Sequence, residues 1–157
     1  MSMIILLLAI HKVIIIMNEM TRLIENYSRC HQHPINELIH FFAIPIIMFS
    51  IIGLIYCIHS LVAVIFIFIS LIFYLKLSYK AFIIMSIWSS LYYYLIYLLN
   101  EKIFFISVLA FFFGWMIQFI GHYIEGKKPS FLDDVKYLWI GPLFVVRGIL
   151  IKIGFRL

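Results

Sequence analysis

Four of the six histidines stand where apolar helices begin or end: His31, His33 and His40 at the mouth of one, His122 at the close of another. Imidazole is the commonest metal-ligating side chain. Beside hydrocarbon an unsatisfied polar group costs several kcal/mol, roughly, so each ring needs a partner. One metal ion is a partner that would collect several rings at once.

Helical spacing sharpens the cluster. Pro34 suits the first position of a helix, and the residues around it put His33, Asn36 and His40 on one stripe at steps of three and four. His31 can fold back from the preceding turn. Gln118, His122 and Glu125 repeat the spacing on a second helix, where Gly114 and Gly121 form a small-residue ridge suited to close packing. Two polar stripes can therefore face each other. A single histidine at a membrane boundary is ordinarily just hydrogen-bonded, and the spacing matches no strict metal signature. The pattern alone leaves a metal site and hydrogen-bonded histidines both standing.

The elements that must position these residues are membrane helices. The chain has 157 residues, 66% hydrophobic and 12% charged, where a soluble domain has about 45–50% and about 25%. Its apolar runs approach the roughly 20 residues that cross a bilayer. The expected fold is all-α: a polytopic membrane helical bundle of four transmembrane helices, near 39–58, 61–75, 81–99 and 103–122, with interfacial or re-entrant terminal helices. Residues 1–19 are expected as an apolar leader or interfacial helix, or an over-extended start, and residues 20–157 as one bundle domain carrying the histidine site. The leader lacks the basic opening and cleavage site of a secretory signal. The stretch 137–157 holds Pro142, Arg147, Gly148, Lys152 and Arg156, which suits a surface or re-entrant helix better than a fifth span.

The net charge of +5 is scattered singly or in pairs, which sets nucleic-acid binding aside and points to topology. Arg22, Arg29, Lys76, Lys80, Lys127, Lys128 and Lys136 fall on one side of four alternating spans. Both ends are then expected in the cytoplasm, at the inner membrane of a bacterium or the endoplasmic reticulum of a eukaryote. The same topology gathers His31, His33, His40 and His122 on that face, with His59 opposite and His11 in the leader. Cys30 and Cys57 bracket the first span and are expected as reduced thiols. Trp88, Tyr92, Tyr93, Tyr94 and Tyr97 read as interfacial belt and packing, and Phe111, Phe112 and Phe113 as lipid-facing or core.

The segment YSRCHQHPINELIHFFAIP, with Tyr27, His31, Pro34, Asn36, His40 and Pro45, resembles the first signature of the small membrane 2-hydroxy fatty acid dioxygenases. That family includes a fungal enzyme of phytosphingosine breakdown and bacterial relatives. GWMIQFIGHYIEGKKPSFLDD, from Gly114 to Asp134, resembles its second signature, and GPLFVV, from Gly141 to Val146, a weaker third. The resemblance covers residues 20–155.

The resemblance implies an Fe(II)-dependent α-oxidation in which a 2-hydroxy fatty acid and dioxygen yield an acid one carbon shorter. Carried over residue by residue, it makes His31, His40 and His122 the core iron ligands, with His33, where relatives often have asparagine, a further candidate. Glu125 follows the family's histidine-plus-acid pattern as a fourth ligand or an orienter of ligands. Asn36 and Gln118 would orient ligands or bound oxygen, and Lys127 or Lys128 could steer the substrate carboxylate. Several relatives carry a glutamate after the third signature, where this chain has Arg147 and Gly148, so a function resting on that acid is absent or relocated.

The iron oxygenase leads two other classes: a haem-binding membrane electron-transfer protein with two axial histidines on facing helices, and a non-catalytic membrane scaffold. Imidazole serves iron and zinc alike, so the choice of iron comes from the resemblance. Membrane lipids are the surroundings expected for all three, and oligomeric state is not legible.

Overall fold

Polar residues punctuate the chain into helices: His33, His59, Ser78 and the turn Asn100–Lys102 stand at helix boundaries, while Pro45 and Pro142 lie inside helices. The computed structural model describes Ile5, residues 19–152 and Gly154. The expected leader falls almost wholly outside the described residues. Helix α1 covers residues 19–28, followed by α2 (Pro34–Ile58), α3 (Ser60–Leu77), α4 (Tyr79–Leu99), α5 (Ile103–Glu125) and α6 (Tyr137–Lys152). Among the described residues there is no strand. The chain is an all-α helical bundle of membrane type.

Two of the helix starts share one device. The ring Nδ1 of His33 accepts from the Ile35 N–H at 3.2 Å ahead of α2, and that of His59 accepts from the Leu61 N–H at 3.1 Å ahead of α3. Each imidazole satisfies a backbone donor that a helix start otherwise leaves open. Pro34, lacking an N–H, takes the first helical position. The polar turn at Pro34 continues without a break into the apolar run, so α2 starts five residues before the expected 39.

The segments Pro34–Ile58, Ser60–Leu77 and Tyr79–Glu125 are each long and apolar enough to cross a membrane. The last has 47 residues; as one helix it would reach about 70 Å, more than twice a bilayer core of about 30 Å. It is broken instead by a 3-10 turn at Asn100–Lys102, where Asn100 takes φ 32°. The expected four long helices are α2 to α5. Their outer surfaces stay apolar, with Phe105 72%, Phe112 69% and Ile87 67% exposed, as lipid-facing positions require.

The pair α2 and α5 forms the spine. The helices run antiparallel, Gly121 lying against Asn36, Gly114 against Ile47 and Gly53 against Ser107. A methyl at those three glycines would stand only 2.4, 2.7 and 2.1 Å from the facing atom, so the backbones approach as closely as they do because no Cβ is there. The ridge of Gly114 and Gly121 thus meets α2, and Gly53 answers it from the other helix.

Helix α6 has 16 residues, short for a span. Its Ile140, Leu143, Val145 and Val146 join Leu23, Ile24 and Tyr27 of α1, together with Tyr74, Leu77 and Met85, in the larger core cluster. The Trp139 indole N–H donates to Ser70 Oγ at 3.0 Å, and the Tyr74 hydroxyl donates to the Trp139 carbonyl at 2.9 Å. These bonds fasten α6 to α3. A smaller cluster of Ile52, Tyr92, Ile96 and Ile103 fills the other half, which places Tyr92 in the core. Cys30 and Cys57 are both free.

Candidate metal centre

Three imidazoles meet where α1, α2 and α5 converge. His31 follows α1 after a turn held by the Cys30 N–H to Tyr27 and His31 N–H to Ser28 bonds. Its Nδ1 lies 2.6 Å from the Tyr27 carbonyl, and its ring stacks on the Tyr27 ring at 4.1 Å. His40, one turn beyond Asn36 on α2, sets Nδ1 2.9 Å from the Asn36 carbonyl. A carbonyl can only accept, so both rings carry their proton on Nδ1 and present a bare Nε2 lone pair. Burial holds His31 neutral, with its pKa pushed down to about 4.

His122 comes from the last turns of α5, and its Nε2 stands 3.1 Å from that of His40. The three ring pairs are edge-on, with centroids 4.3 to 4.9 Å apart, which turns nitrogens rather than faces toward the common centre. One ligand atom from each histidine lies within 4.8 Å of the other two, and all three residues are buried. The His31 Nε2 has no hydrogen-bond partner within the protein. Nitrogens about 2.0–2.1 Å from one ion stand roughly 3 Å apart, the spacing of the His40 and His122 pair, and the three histidines together could hold a metal ion.

The polar neighbours brace the cluster. Glu125, its side chain 4% exposed, accepts from the backbone N–H of His33 at 2.8 Å and of Gln32 at 3.1 Å, and from Asn36 Nδ2 at 3.2 Å. Asn36 Nδ2 also donates to the Cys30 carbonyl at 3.1 Å. Together they pin the turn between His31 and His40. Helix α5 ends cleanly behind Glu125 because Gly126 adopts the left-handed conformation, φ 70°, that closes a helix.

Other expected site residues lie apart from the triad. The His33 side chain caps α2 and is not in the cluster of ligand atoms. Lys127 Nζ donates to the Arg29 carbonyl and stands 3.9 Å from Glu125 Oε1. Lys128 pairs with Asp133 at 2.5 Å on an exposed surface, which raises its pKa. Gln118 is buried one turn before His122, its Oε1 without a partner in the protein. Sequence reasoning passed over Trp115 and Ser130, which share a cavity with Gln118 and His122. The one signal for Trp115 was its spacing of three and seven from those two residues on the α5 stripe.

Fold and site define a class: helical bundles of membrane type with a buried group of three histidines able to hold a metal at one end. A family model described as 2-hydroxy-palmitic acid dioxygenase Mpo1-like matches residues 17–153, and the chain belongs to this family. The family is named for a dioxygenase of a 2-hydroxy fatty acid. No curated protein and no solved structure matches the chain significantly.

Proposed function

We propose that this protein is an Fe(II)-dependent dioxygenase that performs α-oxidation of 2-hydroxy fatty acids. The hydroxy acid and dioxygen would give an acid one carbon shorter, with carbon dioxide and water closing the balance. The observation that carries the reading is the buried convergence of His31, His40 and His122 in a chain of this family. These three residues would hold the ion, leaving His33 to cap α2. Iron(II) bound by imidazoles keeps coordination positions open and supplies the activation of dioxygen.

The chain's own residues do the rest. The carbonyls of Tyr27 and Asn36 hold His31 and His40 in the tautomer that offers Nε2. Glu125, its oxygens already engaged by Gln32, His33 and Asn36, acts as a clamp on the ligand-bearing turn rather than as a fourth ligand. Lys127 and Lys128, tied to Arg29 and Asp133, contribute at the surface of the site. Both ends face the cytoplasm in this reading, and the substrate's acyl chain stays among the helices.

Two features weigh against the other classes. A haem between axial ligands needs room for a porphyrin plane, and the 3.1 Å separation of His40 and His122 leaves none. A scaffold would keep its buried lone pairs paired, whereas the His31 Nε2 has no partner in the protein. The deciding experiment incubates detergent-solubilised protein with iron(II), oxygen and 2-hydroxypalmitate. Pentadecanoate should accumulate; its absence with iron-replete protein would overturn the assignment.

A further inference from the structure

Four buried polar atoms beside the triad have no hydrogen-bond partner within the protein: Nδ1 of His122, Oε1 of Gln118, Nε1 of Trp115 and Oγ of Ser130. All four residues line one cavity of about 60 Å³. Folded proteins pair the great majority of their buried polar atoms, and each exception needs a reason. Four exceptions around one cavity share a single reason when the cavity takes a polar ligand. Gln118, His122 and Ser130 are 6%, 4% and 5% exposed, so bulk solvent does not serve them.

The walls select the ligand. Trp115 can only donate; Ser130 donates through a hydroxyl that turns; the free Oε1 of Gln118 accepts. No lining residue is a lysine or arginine. Acceptor oxygens next to one hydroxyl match this set, and that is the head of a 2-hydroxy acid: carboxylate toward Trp115 and Ser130, hydroxyl toward Gln118.

The apolar end of the cavity leads onward. Met48, Ile51, Leu138 and Pro142 line it and also line a second, apolar cavity of about 200 Å³ among α2, α3, α4 and α6. Together the two cavities follow α2 from Ile44 to Ile52. From His40 to Ile52 that helix rises about 18 Å, a length suited to a long acyl chain.

We propose that the two cavities form the substrate channel, Trp115 and Ser130 receiving the carboxylate beside His122 while the tail passes Met48 and Ile51 into the apolar chamber. This rests on the dioxygenase reading above. It moves carboxylate recognition from Lys127 and Lys128 to neutral donors inside the bundle.

The test is equilibrium dialysis of the full chain in detergent, corrected for empty micelles, with 2-hydroxypalmitate, 2-hydroxyoctanoate and hexadecane-1,2-diol as probes and bound iron measured in parallel. Ser130→Ala and Trp115→Phe should each weaken binding of both acids about tenfold while changing that of the diol less than about twofold, since hydrogen bonds to a charged group are the ones removed. Iron content should stay at the wild-type level. Ser89→Leu, at the wall of the apolar cavity, should weaken 2-hydroxypalmitate and spare 2-hydroxyoctanoate. Wild-type affinity for the acids in Ser130→Ala and Trp115→Phe would overturn the head-group assignment and leave the dioxygenase reading intact. Iron lost together with acid binding would overturn it too, by making these residues supports of the triad. Unchanged 2-hydroxypalmitate binding in Ser89→Leu would overturn the tail path. Failure of the wild type itself to bind either acid would remove the functional reading with the channel.

Discussion

His40 and His122, 82 residues apart in the chain, face each other Nε2 to Nε2 at 3.1 Å in a buried site. The Asn36 carbonyl keeps the His40 proton on the far nitrogen, so the near one brings a lone pair to the encounter. The His122 Nε2 either donates to that lone pair or, with its proton on Nδ1, joins it in holding a cation. Replacing His31, His40 or His122 by alanine should therefore abolish bound iron, read by elemental analysis of purified protein. His59→Ala should keep its iron, because that ring only caps α3. Full iron in all three triad variants would refute the centre.

Glu125 offers a sharper case, because a clamp and a ligand fail differently. Glu125→Ala releases the N–H groups of Gln32 and His33 and should lower iron affinity by roughly 10–100-fold without abolishing it. Glu125→Gln keeps one acceptor oxygen and should recover part of the loss. A metal titration separates the outcomes, and complete loss of iron in both variants would make Glu125 a ligand.

Close approach of α2 and α5 predicts a position-specific response to one added methyl. Gly121→Ala would push its Cβ to 2.4 Å from Asn36 Oδ1, at the residue that orients His40. Overpacking of this kind costs about 1–3 kcal/mol, and here it should reduce both the melting temperature and the iron content. Gly148→Ala, on α6 with nothing within 4 Å of the new carbon, should be neutral or slightly stabilising. Equal melting temperatures for the two variants would contradict the packing.

Metal removal should also be visible in stability. An ion bound only by the folded state at a hundred times its dissociation constant stabilises by about 2.7 kcal/mol. Chelation should accordingly lower the unfolding temperature of the wild type and leave that of His122→Ala unmoved. A wild type insensitive to chelator would mean that no ion bridges α2 and α5.

Much of this was legible in the sequence because it depends on local pattern. Hydropathy and run length set the helix count, since a bilayer admits few other solutions for such a chain. Pro34 and Asn100 lie at real element boundaries, and the pattern gathered His31, His33, His40 and His122 on one face, the family resemblance then singling out His31, His40 and His122. Gly114 and Gly121 were recognisable as a packing ridge, though not the side chains they would meet.

What only the tertiary structure decided is which groups find which partners. Spacing put His33 on the stripe of His40, yet its ring turns to the N–H of Ile35, nearby in its own turn. Glu125, read as ligand or orienter, is claimed by backbone donors more than 90 residues earlier in the chain, a relation no helical period encodes. Trp115 and Ser130 look ordinary in sequence, because a polar atom becomes significant only when folding buries it without a partner. Periodicity fixes the face on which a side chain stands; the packing of α5 and of α6 against α2 fixes what that face meets.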